Sequence, residues 1–263
     1  MKNKKGVIAN RKSVILQKLQ AEREVLVGAL AEELKISQIT IRRDLDSFEK
    51  RGFIERFYGG ARLIEGQLAQ DPSQDNVNAN SVNADYLRAI AREAASLVEE
   101  GDIVFINSSR TAVMVTEYIN AKLVNVITNN GNSLFMRHGA GVNLILTGGA
   151  FNEVKHSMIG DFALSTIKKI NATKCFIGVS GLTEDGNICT AILQETMVNS
   201  LMIERTSGMK ILLADHTRIG KTNNFIIANI IQFTHLVTDE LADDVILNKL
   251  NNGKLKIIKA KLK

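Results

Sequence analysis

Six short runs in the later part of the chain are apolar nearly throughout, not at every second position: IVFIN from Ile103, VNVIT from Val124, VNLILT from Val142, KCFIGV from Lys174, MKILLAD from Met209 and HLVTD from His235. A strand with one wet face alternates, whereas a strand covered on both faces reads as continuous hydrophobicity. Helical stretches separate most of these runs. Leu87, Ile90, Ala91, Ala94, Leu97 and Val98 mark one of them, ahead of the first run. Strands alternating with helices predict an α/β domain with a mostly parallel sheet flanked by helices. The tail from Asn251 adds Leu255, Ile257 and Ile258, which predict a final strand with a lysine-rich solvated edge.

The first quarter reads differently. Val14, Ile15 and Leu19, then Val25, Val27, Leu30, Ala31 and Leu34, fit one face of each of two helices. Ser37 stands as the cap of a third helix, in which Ile41, Leu45 and Phe48 face inward. Gly52 stops that helix, and FIERF, a turn at Tyr58 to Gly60 and ARLI follow as two short strands. Residues 65–84 are rich in Asn, Gln, Asp and Ser, hold the only proline, Pro72, and read as a linker. The expected organisation is an α+β domain over 1–64, the linker over 65–84 and an α/β domain over 85–263, in keeping with roughly 100–200 residues per domain.

Charge follows the same division. Residues 1–63 carry 14 Lys/Arg against 8 Asp/Glu, a balance of +6, and the rest of the chain carries 19 against 20, a balance of −1. A basic module on a neutral one points to a polyanion partner for the first. A helix-turn-helix places its second helix in the DNA major groove and reads base edges from the N-terminal half of that helix. Here Ser37, Gln38 and Thr40 supply short polar groups at the helix start, and Arg42 and Arg43 follow within a turn. Arginine can bond guanine bidentately or clamp a phosphate. Arg56, Tyr58 and Arg62 on the hairpin would form a wing against the DNA backbone.

Arg11 to Ile15, Leu19 and the stretch Ser37-Gln-Ile-Thr-Ile-Arg-Arg-Asp-Leu45 together resemble the N-terminal signature of the DeoR-type transcriptional regulators, and Arg56 to Ala61 resembles their wing. The resemblance implies a winged helix-turn-helix that binds operator DNA, usually as a repressor, with Ser37, Gln38, Thr40, Arg42 and Arg43 as contacts; Asp44 matches the signature in a structural role. It continues through Gly101-Asp102, Asn107 to Thr111, Thr128 to Asn130, Leu146 to Gly149, Phe176 to Gly181 and Leu213 to Gly220, in the order of the family's effector domain. That domain is similar to ribose-5-phosphate isomerase and senses phosphorylated sugars or related metabolites. The implied effector contacts are Asn107, Ser108, Ser109, Arg110, Thr111, Asn129, Asn130, Gly148, Gly149, Gly178, Ser180, Glu195, Asp215, Arg218 and Lys221.

Physical arguments bear on several of these. The first three loops follow strand-like runs, at the carboxyl edge where open α/β sheets bind ligands. Ser108, Ser109 and Thr111 place hydroxyls next to a helix N-terminus, which suits a phosphate, and Arg110 adds charge. Gly148 and Gly149 let backbone approach a ligand closely. The family more often has Asp where Asn107 stands, and Lys where Asn199 and Arg218 stand. Sugar isomerisation needs a general base, which Asn and Arg cannot supply. Glu195, Asp215 and Lys221 remain as isolated candidates, and catalysis is not expected.

A cytoplasmic regulator controlled by a small phosphorylated metabolite is therefore expected, working as a homo-dimer or homo-tetramer because paired half-sites multiply discrimination. No cofactor is expected. No metal is expected either, since His138, His156, His216 and His235 are scattered and Cys175 and Cys189 have no ligand spacing. No signal-peptide run or membrane span is read in the sequence. The alternatives are a sugar-phosphate isomerase-like enzyme with a nucleic-acid-binding appendage, and an adaptor whose basic face meets an acidic partner.

Overall fold

The computed structural model describes residues 15, 18–19, 22, 24–49, 54–63, 80–153, 155–251 and 253–262. Val14, Gly52 and linker positions 65–79 lie outside them. The chain divides into two compact units, Met1–Ser81 and Val82–Lys263.

In the first unit Ile15, Lys18, Leu19 and Glu22 are helical. They precede strand β1 (Glu24–Leu26), helix α1 (Val27–Glu33), helix α2 (Gln38–Glu49) and strands β2 (Ile54–Phe57) and β3 (Gly60–Leu63). The sequence reading placed Val25 on the second helix. It belongs instead to β1, opposite Ala61, so the wing is a three-stranded antiparallel sheet ordered β1-β3-β2. Burial is the same in either conformation, and the partner supplied by β3 decides between them. Ile15, Leu19, Leu30, Ile41, Leu45, Phe48 and Ile54 close one core.

Helix α3 (Asn80–Ala95) starts at the last two residues of the first unit and runs into the second. Asn80 to Ala84, read as linker, belong to this helix, whose buried face includes Tyr86 and Leu87. There follow β4 (Ile103–Ile106), α4 (Arg110–Tyr118), β5 (Val124–Thr128), β6 (Val142–Leu146), β7 (Ala150–Asn152), β8 (Ser157–Ile159), α5 (Asp161–Lys168), β9 (Ala172–Gly178), β10 (Gly181–Leu182), β11 (Asn187–Thr190), α6 (Leu193–Glu204), β12 (Thr206–Leu213), β13 (Phe225–Asn229), β14 (His235–Asp239), α7 (Asp244–Leu250) and β15 (Lys256–Ala260). Seven strands form one sheet in the order β15-β14-β12-β9-β4-β5-β6, and every pairing in it is parallel.

Each apolar run feeds two cores by turns. Phe105, Ile127, Cys175, Ile177, Leu212 and Leu236 pack on the side of α5, α6 and α7. Val104, Ile106, Val126, Phe176, Ile211, Leu213 and Val237 pack on the side of α3 and α4. Burying a residue such as Phe105 or Phe176 stabilises the unit by about 2–3 kcal/mol. Two small antiparallel additions, β7-β8 and β10-β11-β13, have no counterpart in the sequence reading.

The order of the sheet fixes where a ligand can enter. From β4 the chain adds β5 and then β6 on one side, and β9, β12, β14 and β15 on the other. The reversal falls between β4 and β9, and the loops beyond the carboxyl ends of such strands diverge to leave a crevice.

Candidate functional site

The exposed half of α2 begins at a well-built turn. After α1, Lys35 takes the left-handed conformation (φ 52°), the Lys35 amide donates to the Glu32 carbonyl at 3.3 Å and the Ile36 amide donates to the Ala31 carbonyl at 3.0 Å. These two bonds are a Schellman closure, which ends α1 sharply and redirects the chain. Ser37 then caps α2: its Oγ accepts from the Thr40 amide at 3.3 Å and lies 2.9 Å from Thr40 Oγ1. Ile41, Leu45 and Phe48 are buried, which leaves Gln38, Arg42 and Arg43 exposed and Thr40 half-buried. Asp44 is buried. Ile39, which sequence reasoning passed over, is 65% exposed on the same surface; its only signal was an apolar residue out of phase with Ile41, Leu45 and Phe48.

The wing is less uniform than its sequence. Tyr58 stands fully exposed at the hairpin tip. Arg56, expected to face outward, bonds through Nη1 to Asp46 Oδ1 of α2 and so braces the wing against the helix. Arg62 is held by Glu55 through Nε at 3.0 Å and Nη2 at 2.9 Å.

In the second unit, residues from four strand ends meet at the crevice. Asn107, at the end of β4, is buried and spends its whole side chain on protein. Its Nδ2 donates to the Gly178 carbonyl at 2.9 Å and to Asn199 Oδ1 at 3.3 Å, and its Oδ1 accepts from the Gly178 amide at 3.0 Å and the Ser109 amide at 3.4 Å. It joins β4 to β9 and to α6, so it acts as a clamp. Asn107 and Asn199, both read in the sequence as departures from the family pattern, touch each other as a neutral amide pair. Asn130 Nδ2 donates to the Ser108 carbonyl at 3.0 Å and fixes the same loop from β5.

Ser109 caps α4 by accepting from the Ala112 amide at 3.3 Å. Gly178 passes directly beneath it, where no side chain fits. Ser108 turns its hydroxyl to Glu195 Oε1 at 2.8 Å, and Ser157 of β8, which the sequence did not single out, donates to the same oxygen at 3.0 Å. Glu195 is buried in the first turn of α6, where the helix dipole favours a negative charge. The arrangement sets two serine hydroxyls on one buried carboxylate, close to the loop that leads into α4. It is equipped to recognise hydroxyl groups and an anion.

The remaining positions lie on separate loops. Gly148 and Gly149 adopt φ of 69° and 121° between β6 and β7. Ser180 donates its amide to the Cys189 carbonyl at 3.1 Å and accepts from Asn223 Nδ2 at 3.0 Å. Asp215 accepts from the Thr217 amide at 2.9 Å and from its hydroxyl, with Arg218 Nε at 3.7 Å, so its carboxylate is committed to its own turn. Lys221 is exposed. His216, read as one of four scattered histidines, is held by buried Asp239: Nδ1 lies 2.9 Å from Oδ1, and its amide donates to Oδ2 at 2.7 Å. Among the described residues no group of three or more His, Cys, Asp or Glu is placed to hold a metal ion, and no helix is long and apolar enough to cross a membrane.

At the opposite, amino-terminal edge of the sheet, buried Lys174 donates to Asp102 Oδ2 and to Glu99 Oε2, each at 2.7 Å. Burial pushes the Asp102 carboxyl up and the Lys174 ammonium down. Their mutual bond, with those from Thr173 and the Glu99 amide to Asp102 and from Lys174 to Glu99, outweighs burial, and the carboxyl ends below and the ammonium above its ordinary value.

A protein-family model described as the DeoR-like helix-turn-helix domain matches residues 11–67, and one described as the DeoR C terminal sensor domain matches residues 82–240. The Lactose phosphotransferase system repressor of Streptococcus mutans is 30% identical over 230 residues, which cover 86% of this chain and 90% of that protein. The HTH-type transcriptional regulator GolR of Listeria innocua is 25% identical over 249 residues, covering 94% of this chain and 96% of that one. Among solved structures, ribose 5-phosphate isomerase A from Methanocaldococcus jannaschii overlaps 52% of this chain and 55% of its own, with a TM-score of 0.38 and 13% identity. The two matched segments together span both units in the order helix-turn-helix, then sensor domain, and the chain belongs to the DeoR family of transcriptional regulators.

Proposed function

We propose that this chain is a repressor of carbohydrate-metabolism genes that binds operator DNA through α2 and is controlled by a phosphorylated sugar bound at the β4–β9 crevice. The observation that carries the DNA reading is the capped, exposed start of α2, where Gln38, Ile39, Arg42 and Arg43 stand clear of a core formed by Ile41, Leu45 and Phe48. Ser37, Gln38, Thr40, Arg42 and Arg43 face the DNA, Tyr58 meets its backbone, and Arg56 positions the wing. The relatives' names, one of them a repressor of a lactose phosphotransferase system, support the link to sugars.

In the effector site, the N-terminus of α4 with Ser108 to Thr111 takes the phosphate. Glu195 takes hydroxyls, and Asn107, Asn129, Asn130 and Gly178 hold the loops in place. Arg218 and Lys221 add positive charge from the neighbouring strand end. The carboxylates that proton transfer would use are engaged, Glu195 by Ser108 and Ser157 and Asp215 by Thr217, which favours binding over isomerisation. Binding as a dimer or tetramer doubles the half-sites read.

Fluorescence anisotropy on fragments from sugar-utilisation operons tests this. A fragment bound at least a thousandfold more tightly than random duplex at 150 mM salt, and released or tightened by a sugar phosphate, supports it. Equal affinity for all duplexes at every salt concentration overturns it.

A further inference from the structure

We propose that the β7–β8 hairpin is a gate over the effector site and that Ser157, in the closed state, occupies the position of an effector hydroxyl on Glu195. The inference rests on the effector reading of the crevice and adds to it how the ligand enters and which of its groups is read there.

The site as built is shut. Glu195 is 6% exposed, and Asn107, Asn129 and Asn130 are 2% exposed or less, so a ligand reaches them only after something moves. The hairpin is the segment laid over them. Besides the Ser157 bond, the Met158 amide donates to the Asn129 carbonyl at 2.7 Å, the Gly131 amide donates to the His156 carbonyl at 2.6 Å, Asn129 Nδ2 donates to the Met158 carbonyl at 3.2 Å, and His156 Nδ1 lies 2.8 Å from Asn132 Oδ1. Apart from Ser157, the described side chains of β7 and β8 are exposed or half-buried, and Phe151 is 54% exposed. A segment held by polar bonds with little apolar burial sits at the low end of local stability.

Both ends of the hairpin pivot on glycine. Gly149 (φ 121°) and Gly160 (φ 83°) flank the paired residues Ala150 and Ile159, and a β-carbon on Gly149 would fall 2.5 Å from the Ile159 carbonyl oxygen. Left-handed backbone at both ends gives the strands two points about which to swing as one body.

The closed state also shows what the ligand must bring. Asn129 Oδ1 is buried with no hydrogen-bond partner, directly under Met158, and an orphaned acceptor of this kind is costly. Glu195 Oε1 accepts from Ser108 and from Ser157, and it loses the second donor when the hairpin moves. Both atoms need donors. Sugar or polyol hydroxyls supply them, whereas a phosphate dianion would be repelled by the carboxylate and belongs at the α4 end. The gate therefore opens in exchange for hydroxyls, and Ser157 competes with the ligand for Glu195.

Hydrogen exchange at the Gly131 and Met158 amides of the full chain reads the gate. Without ligand, Ser157→Ala is expected to speed both by about tenfold while β4, β9 and β12 keep their protection, the change expected for one charge-assisted bond. Gly160→Ala, whose β-carbon meets nothing within 4 Å, is expected to do the same through its backbone alone. With ribose 5-phosphate, fructose 6-phosphate and glucose 6-phosphate as probes, whichever binds should bind Ser157→Ala about tenfold more tightly, and inorganic phosphate should not distinguish the two proteins. Unchanged exchange in both variants overturns the gate, as does a sugar phosphate that binds both proteins alike and leaves the two amides protected. If no sugar phosphate binds, the effector reading fails, and the ligand-free exchange alone decides the gate.

Discussion

Gly178 lies so close under Ser109 that a β-carbon built on the glycine falls 1.8 Å from the serine Oγ. The strand end of β9 and the cap of α4 are thus one contact, and whatever reaches the N-terminus of α4 is positioned by the main chain of the central strand. Gly178→Ala must expel Ser109 from its capping position. The expected loss is about 3 kcal/mol, overpacking together with a lost cap, read as a lower urea midpoint at unchanged m-value. Ser109→Ala should cost only about 1 kcal/mol. The double variant should restore only part of the loss, because the new β-carbon still falls 2.5 Å from the Ser109 β-carbon.

Asn107 and Asn199 form the second test. Asn107→Asp places a carboxylate against the Gly178 carbonyl, which now accepts a hydrogen bond at 2.9 Å, and should destabilise the protein by about 2 kcal/mol at neutral pH. Adding Asn199→Lys supplies a cation beside the same atom. A coupling energy of at least about 1 kcal/mol in the double-mutant cycle shows that the two positions exchange as a unit. Additivity would mean that each departure from the family pattern stands alone.

On α2, Arg42→Ala should cost roughly 1–3 kcal/mol in operator affinity and flatten the preference among single-base operator variants. Arg56→Ala should weaken binding to all duplexes alike, since its partner is Asp46 and its effect runs through the placement of the wing. Titrating both variants against a set of operator mutants separates the two behaviours.

Lys174 and Asp102 make the stability of the second unit depend on pH. Asp102 sits below the ordinary carboxyl value of 3.8, so its contribution is present above that value and is lost as pH falls through the lower, folded one. Lys174 sits above 10.5, so its contribution is complete below 10.5 and is lost as pH rises through the higher, folded value. From this pair, stability should be flat between about pH 5 and 9. Lys174→Met leaves a buried carboxylate unpaired and should cost about 3–5 kcal/mol at pH 7, with acid unfolding starting at higher pH. Thermal melts across pH 3–8 read both effects.

The sequence alone determined the parallel sheet and the capped helix whose arginines stand exposed. Each follows from a pattern that neighbours in the chain enforce: runs of apolar residues covered on both faces, a 3.6-residue stripe through Ile41, Leu45 and Phe48, and a serine able to bond an amide three residues on. The small strands β7, β8, β10, β11 and β13 were invisible, as was the strand conformation of Val25, because a pairing partner elsewhere in the chain decides each of them. The site was legible as a set of loops and illegible as a set of roles. Nothing in the sequence showed that Asn107 bonds Gly178 and Asn199, that Arg56 bonds Asp46, or that Ser157 bonds Glu195. Bonds such as Ser157 to Glu195 and Asn107 to Gly178 join residues tens of positions apart. Only the reversal of strand order between β4 and β9 brings those strand ends together, and a side chain's role is set by which partners saturate it, which no local pattern records.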